Sequence, residues 1–149
     1  MNNAKTMKIA IINGPNLNLT GQREPGIYGK QSFEQYIPCL RDMFPDVDLS
    51  YGQSNVEGEL IDMIQACGLE GRAVLLNAGG YTHTSVALHD AIAAVSVPVI
   101  ETHMSNVAAR EEYRRTSLIG SACKGTIAGF GMDSYRLGIL AMKELLAEK

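Results

Sequence analysis

Lys8-Ile-Ala-Ile-Ile-Asn13, running straight into Gly14-Pro15, is the stretch on which the fold turns. A short, continuous, β-branched apolar run closed by two structure-breaking residues reads as a strand covered on both faces. Such strands belong to parallel sheets packed between helices. Working outward, Val47 to Gln53 alternates apolar and polar side chains, as at or near a sheet edge, whereas Ala73 to Asn77 and Pro98 to Thr102 are again continuous apolar strands. A last strand falls near Gly125 to Phe130. Helical patterns fill the gaps. Ser32 with Gln35 makes a capping box that opens a helix toward Phe44, and Pro38 either kinks that helix or delays its start to near Ile37. Ser54 with Glu57 gives a second capping box, after which Leu60, Ile61, Ile64 and Cys67 share one face until Gly68 ends the helix. Val86, Ala87, Ala91 and Ala94 mark the inner face of a helix within Thr84 to Val95. Tyr135, Leu137, Ile139, Leu140 and Leu145 do so within Asp133 to Ala147.

Strands alternating with helices in this way predict an α/β fold: a flavodoxin-like, doubly wound five-stranded parallel sheet of order 2-1-3-4-5 with helices on both faces. No repeat or linker divides the chain, so residues 1–149 are expected to form a single flavodoxin-like domain, with 1–7 a flexible N-terminal extension. Sheets of this kind bind ligands beyond the carboxyl ends of their strands, where the strand order reverses.

Composition removes whole classes of function. With 46% hydrophobic residues and a net charge of −3, the chain is too apolar and too weakly charged to stay disordered. Thirteen Lys and Arg against 16 Asp and Glu provide no basic field, which argues against nucleic acid and leaves an anionic ligand to a few local arginines. No run approaches the roughly 20 apolar residues of a membrane span, and Met1 to Thr6 lacks the apolar core of a signal peptide, so no membrane association and a cytoplasmic location are expected. Cys39, Cys67 and Cys123 are widely spaced without a CxxC pair and read as buried or idle thiols. His83 and His89 lie six apart rather than four, so no metal site is expected.

Polar residues collect at three of the expected strand ends: Asn13, Asn16 and Asn18, then Asn77, then Glu101 and His103. Gly14 to Gly21 lacks the Gly-Lys-Ser/Thr of a nucleotide phosphate loop. Arg23 and Tyr28 share a loop of a length that often signals a lid. Tyr28 is either a packing residue or a general base, the latter only where a cation such as arginine stabilises its phenolate. Glu101 and His103 point the same way in an extended chain, where a carboxylate orients an imidazole and favours its protonated form, unless the pair is simply a solvated strand end. Arg110 and Arg114, four apart, would share a helix face, either exposed or turned toward an anionic ligand. Ser85 beside His83 hints at hydrolytic chemistry, but no Gly-x-Ser-x-Gly elbow surrounds it.

Asn13-Gly-Pro-Asn-Leu-Asn18, Arg23-Glu-Pro-x-x-Tyr-Gly29, Gln53-Ser-Asn-x-Glu-Gly-Glu59, Asn77-x-Gly-x-Tyr-Thr-His-Thr-Ser85, Glu101-x-His-x-Ser-Asn106, Ala109-Arg-Glu-Glu112 and Lys124-Gly-x-Ile-x-Gly-Phe-Gly131 together resemble type II 3-dehydroquinate dehydratase, in order from about Lys8 to Leu146. The resemblance implies trimers assembled into dodecamers, and dehydration of 3-dehydroquinate to 3-dehydroshikimate in the shikimate pathway without metal or organic cofactor. It implies Tyr28 as base, Arg23 as the charge that favours its phenolate, and His103, oriented by Glu101, as general acid. Asn16 would hold a water near the enolate. The substrate carboxylate would meet Asn77 and the backbone of Met104 and Ser105, with His83 and Arg114 on ring hydroxyls and Arg110 near the base. Asp90 would reach the site of a neighbouring subunit. Departures from the family pattern are Ala78 for the usual proline, Gly80 for alanine, His89 for arginine and Ala108 for histidine, with Pro38 an unexpected interruption; they are expected to alter stability or affinity rather than chemistry.

Two rival readings follow from the residues. A flavodoxin-like module could bind a small ligand or flavin without turnover, although a phosphoryl-accepting version fails because Asn13, Asn77 and Thr102 stand where an aspartate is needed. A serine hydrolase would use Ser85 with His83 or His103.

Overall fold

A computed structural model describes residues 6–22 and 31–148. Its strands are β1 (Met7–Asn13), β2 (Val47–Gln53), β3 (Ala73–Asn77), β4 (Val99–His103) and β5 (Gly125–Ala128), paired in the order β2-β1-β3-β4-β5. Every pairing is parallel. The helices are α1 (Phe33–Met43), α2 (Glu57–Glu70), α3 (Val86–Ala94) and α4 (Asp133–Ala147). The expected strand order and fold class are thus those observed.

Strand periodicity divides the core into two layers. Ile9, Ile11, Ala73, Leu75 and Ile100 pack with Phe33 and Leu40 of α1 and Tyr135, Ile139 and Met142 of α4. Ala10, Ile12, Val74, Leu76 and Val99 point the other way, against Leu60 and Ile64 of α2 and Leu88 and Ile92 of α3. At the amino ends of the strands, buried Arg72 donates to the Asp48 carbonyl at 2.7 Å and its carboxylate at 3.1 Å, to the Glu70 carboxylate at 3.2 Å and to the Ile9 carbonyl at 3.4 Å.

Local signals set the element ends, with several corrections. Met7 opens β1 opposite Val47 and packs on the core, so it is not part of an extension; residues 1–5 lie outside the described residues. The capping box at Ser32 forms in both directions, and α1 starts at Phe33 rather than near Ile37. Pro38 sits inside it. The hydrogen bond that proline forfeits belongs to the Glu34 carbonyl; both residues are exposed, so water can take that bond's place. The second capping box is absent, because α2 begins with Val56 as its cap and no side-chain cap bond. Ser54 Oγ instead accepts from Val56 N at 2.9 Å and donates to Glu59, while Glu57 turns toward Ser85. The strand expected at Pro98 starts at Val99 and extends to His103, and the last strand ends at Ala128.

Two helix faces also differ. In α3, Leu88, Ala91 and Ile92 form the buried face; Val86 is 62% exposed, and Ala87 and Ala94 are exposed too, because the apolar run offered two faces and the longer side chains took the core. In α4, Leu140 is 42% exposed, whereas Met142 and Gly138 join Tyr135 and Ile139 inside. Gly68 lies within α2, which ends at Gly71 in the left-handed conformation (φ 71°) that glycine adopts without a Cβ penalty. Gly68 is required for another reason: a Cβ there would lie 2.7 Å from Val95 Cγ1.

Gly68→Ala should therefore destabilise the protein by about 1–3 kcal/mol through overpacking, despite alanine's better helix propensity. Adding Val95→Ala should recover part of the loss. Thermal unfolding of the single and double variants measures this, and an unchanged melting temperature in Gly68→Ala would remove the packing argument.

Candidate active site

Parallel strands deliver their carboxyl ends to one rim of the sheet, and the loops after β1, β3 and β4 meet there. Asn13 and Asn77 stand opposite each other in register on β1 and β3. Beyond them is a cavity of about 110 Å³ whose lining includes Asn16, Asn77, His83, His103, Ser105 and Arg110. Met104 and Arg114 complete the set of sequence-selected residues on its wall. Glu101 lies behind His103, and Asp90 is exposed on α3 and does not line the cavity. Arg23 and Tyr28 lie outside the described residues.

At the end of β4, His103 Nε2 meets Glu101 Oε2 at 2.5 Å, the same-side arrangement expected of residues two apart on a strand. A carboxylate only accepts, so Nε2 carries the proton of that bond and Nδ1 is the ring nitrogen left for a ligand. Glu101 is 2% exposed. Its other oxygen accepts from Ser117 Oγ at 2.9 Å and Thr126 Oγ1 at 3.5 Å. Burial opposes the charge on Glu101, yet the hydrogen bond and charge of His103, together with Ser117 and Thr126, hold the carboxyl below its ordinary value.

The other walls are fixed by hydrogen bonds. His83 Nδ1 donates to the Thr116 carbonyl at 2.7 Å, which leaves Nε2 as the ring's other polar atom. Asn16 adopts φ 71°, the one positive φ at a non-glycine residue among the described residues, a conformation asparagine tolerates better than most. Its backbone N–H donates to Asn55 Oδ1 at 2.9 Å, and Asn55 in turn accepts from Gln53 Nε2 at 3.2 Å and, through its carbonyl, from Tyr81 OH at 3.2 Å. Arg110 and Arg114 do not share a helix face. Short 3-10 turns at Val107–Ala109 and Glu112–Arg115 flank extended backbone at Arg110, and the two arginines converge on the cavity across Glu111. Glu111 lies 2.5 Å from Arg114 Nε and 3.9 Å from Arg110 Nε.

Ser85 is not a nucleophile. It is the buried cap of α3, accepting from Leu88 N at 2.9 Å and donating to Glu57 at 2.5 Å, while the neighbouring His83 ring is turned to Thr116. The residues not singled out earlier for the site are supporting ones: Asn55, Ser117 and, under Asn77, Tyr135. Tyr135 was legible only as an apolar-face residue, although a phenol as fully buried as this one usually finds a hydrogen-bond partner. Cys39, Cys67 and Cys123 are free thiols. Among the described residues, no helix is long and apolar enough to cross a membrane.

A doubly wound parallel domain with a buried carboxylate–imidazole pair opening into an arginine-lined cavity is the layout of an acid–base enzyme. The family model described as Dehydroquinase class II matches residues 7–143, and the chain belongs to that family. It is 50% identical over 146 residues to 3-dehydroquinate dehydratase of Rhizobium johnstonii, covering 95% of this chain and 99% of the relative. It is 49% identical over 145 residues to that of Carboxydothermus hydrogenoformans, covering 96% and 94%. The crystal structure of type II dehydroquinase from Butyrivibrio crossotus superposes with a TM-score of 0.89 at 40% identity, covering 92% of this chain and 97% of the other.

The lowered carboxyl of Glu101 sets a pH signature. A group whose folded-state value is depressed stabilises the fold above its unfolded value, about 4.3 for glutamate, and loses that contribution as pH falls through the folded value. Glu101→Gln should thus be less stable than the parent at neutral pH, with the gap shrinking below about pH 4.3. Urea unfolding between neutral and acid pH reads this; a gap independent of pH would contradict it.

Proposed function

We propose that this protein dehydrates 3-dehydroquinate to 3-dehydroshikimate, in the shikimate pathway, by an anti elimination through an enolate. The observation that carries this reading is the buried Glu101–His103 pair at 2.5 Å, opening into a cavity lined by Asn77, Arg110 and Arg114, in a chain of the class II dehydroquinase family. The binding-module alternative has no need of a buried carboxylate holding an imidazole at the cavity wall.

In the proposed sequence, the Tyr28 phenolate, favoured by the charge of Arg23, takes the proton alpha to the ketone. The electron pair passes into the carbonyl, giving an enolate that a water held near Asn16 steadies. Collapse of the enolate forms the C=C bond and breaks the C–O bond, and His103 gives its proton to the departing hydroxyl. Water is the leaving product, and no electron is gained or lost overall. Glu101 keeps the imidazole oriented. The substrate carboxylate is assigned to Asn77 with the backbone of Met104 and Ser105, and the ring hydroxyls to His83 and Arg114, with Arg110 near the base. The cluster of cationic and amide donors on the cavity wall supports a small anionic ligand.

We further propose that the chain acts as one catalytic domain, in the cytoplasm, as a dodecamer built from trimers in which Asp90 reaches a neighbouring site. Exposure of Asp90 away from its own cavity is compatible with that assignment. The assembly has a direct measurement in light scattering.

The conjugated enone product absorbs in the ultraviolet where the substrate does not. Purified protein mixed with 3-dehydroquinate in the presence of a chelator should develop this band; Tyr28→Phe and His103→Ala should lower kcat by at least about a hundredfold, the range of a lost general acid or base. Near wild-type turnover in Tyr28→Phe would overturn the assigned base, and no band from the folded parent would overturn the activity.

A further inference from the structure

Below the cavity floor, the Tyr135 hydroxyl is buried between the ends of β1 and β3. It donates to Asn13 Oδ1 at 2.8 Å and accepts from Asn77 Nδ2 at 2.9 Å. The directions are set by the ends of the chain of bonds. The Gly79 N–H, 3.2 Å from the Asn77 side chain, can only donate, so the amide atom facing it is Oδ1 and the atom facing Tyr135 is Nδ2. Tyr135 then accepts from Asn77, and its own proton goes to the oxygen of Asn13. An amide nitrogen carries two hydrogens, so one N–H of Asn77 is spent on Tyr135 and the second is left for a ligand in the cavity that Asn77 lines.

We infer that Tyr135 is a positioning residue for substrate binding, fixing the Asn77 amide so that it presents an N–H donor, rather than its carbonyl oxygen, to the carboxylate of the ligand. This rests on the dehydratase reading and deepens it. An oxygen turned toward that carboxylate would repel it, so the orientation matters as much as the presence of the side chain. Asn13, buried and in register with Asn77, is the second member of the device. By accepting the Tyr135 proton it leaves the phenol oxygen as an acceptor for Asn77, so that Tyr135 and the Gly79 N–H hold the amide in the same sense. Tyr135 touches no reacting group, and the acid at His103 belongs to a different strand end.

Steady-state kinetics with 3-dehydroquinate test the inference. Tyr135→Phe should raise KM about tenfold, the size of one lost hydrogen bond to a buried group, with kcat changed less than about threefold and its pH profile unmoved. Asn13→Leu, which leaves the phenol in place but removes its acceptor, should raise KM similarly and provides a second route if the phenylalanine variant folds poorly. In an Asn77→Ala background, Tyr135→Phe should add nothing further to KM, whereas a merely structural role would persist there. An active parent with KM unchanged in both single variants, or with effects that multiply in the double variant, overturns the positioning role alone. Absence of turnover by the parent overturns the dehydratase reading and this inference together.

Discussion

The register that sets Asn13 of β1 beside Asn77 of β3 is the constraint from which the rest of the site follows. Both side chains continue the alternation of Ile9, Ile11, Ala73 and Leu75, and so turn toward the layer of α1 and α4, where Tyr135 meets them. Glu101 and His103 continue the alternation of Val99 and belong to the opposite layer. The cavity lies where the sheet stops, so its wall draws amides from one layer and the acid from the other. Two networks that share no hydrogen bond thereby address one ligand. A one-residue slip in either strand would send these groups to the wrong layer.

Much of this was legible in the sequence because the signals were local. Apolar runs ended by polar residues located β1, β3 and β4, the Ser32–Gln35 pair located α1, and the strand-end polar residues pointed to Asn16, Asn77 and His103, all of which reach the cavity. Errors arose where tertiary packing chose between local options. Gly68 reads as a stop, yet its missing side chain admits Val95 and the helix continues. Ser54 reads as a cap, yet Val56 precedes the first turn and Ser54 engages Glu59. Arg110 and Arg114 read as a helical pair and instead converge through turns around Glu111. Tyr135 and Asn55 were missed as site residues because their partners are far away in sequence, and no spacing rule links Asn13 with Tyr135.

The site also shows how uncharged and charged groups divide the work of preorganisation. A buried carboxylate is costly unless its lone pairs are occupied, and Glu101 meets this with the imidazole and two hydroxyls from different segments. The amide network under Asn77 carries no formal charge and avoids that cost. Asn16 adds a third device, an uncommon backbone conformation held by a side chain from the neighbouring loop. Each fixes the direction in which a donor or acceptor points before any ligand arrives.

Arg72, at the far ends of the strands, reaches β1 and β2 from the start of β3 with one guanidinium. Its planar fork matches acceptors only when those three chains keep their present offset, so it works as an alignment pin. A sheet pinned at its amino edge behaves like a fan held at the handle. The three ribs that Arg72 joins keep their offset, and with it the opposition of Asn13 and Asn77 at the open edge where ligands enter.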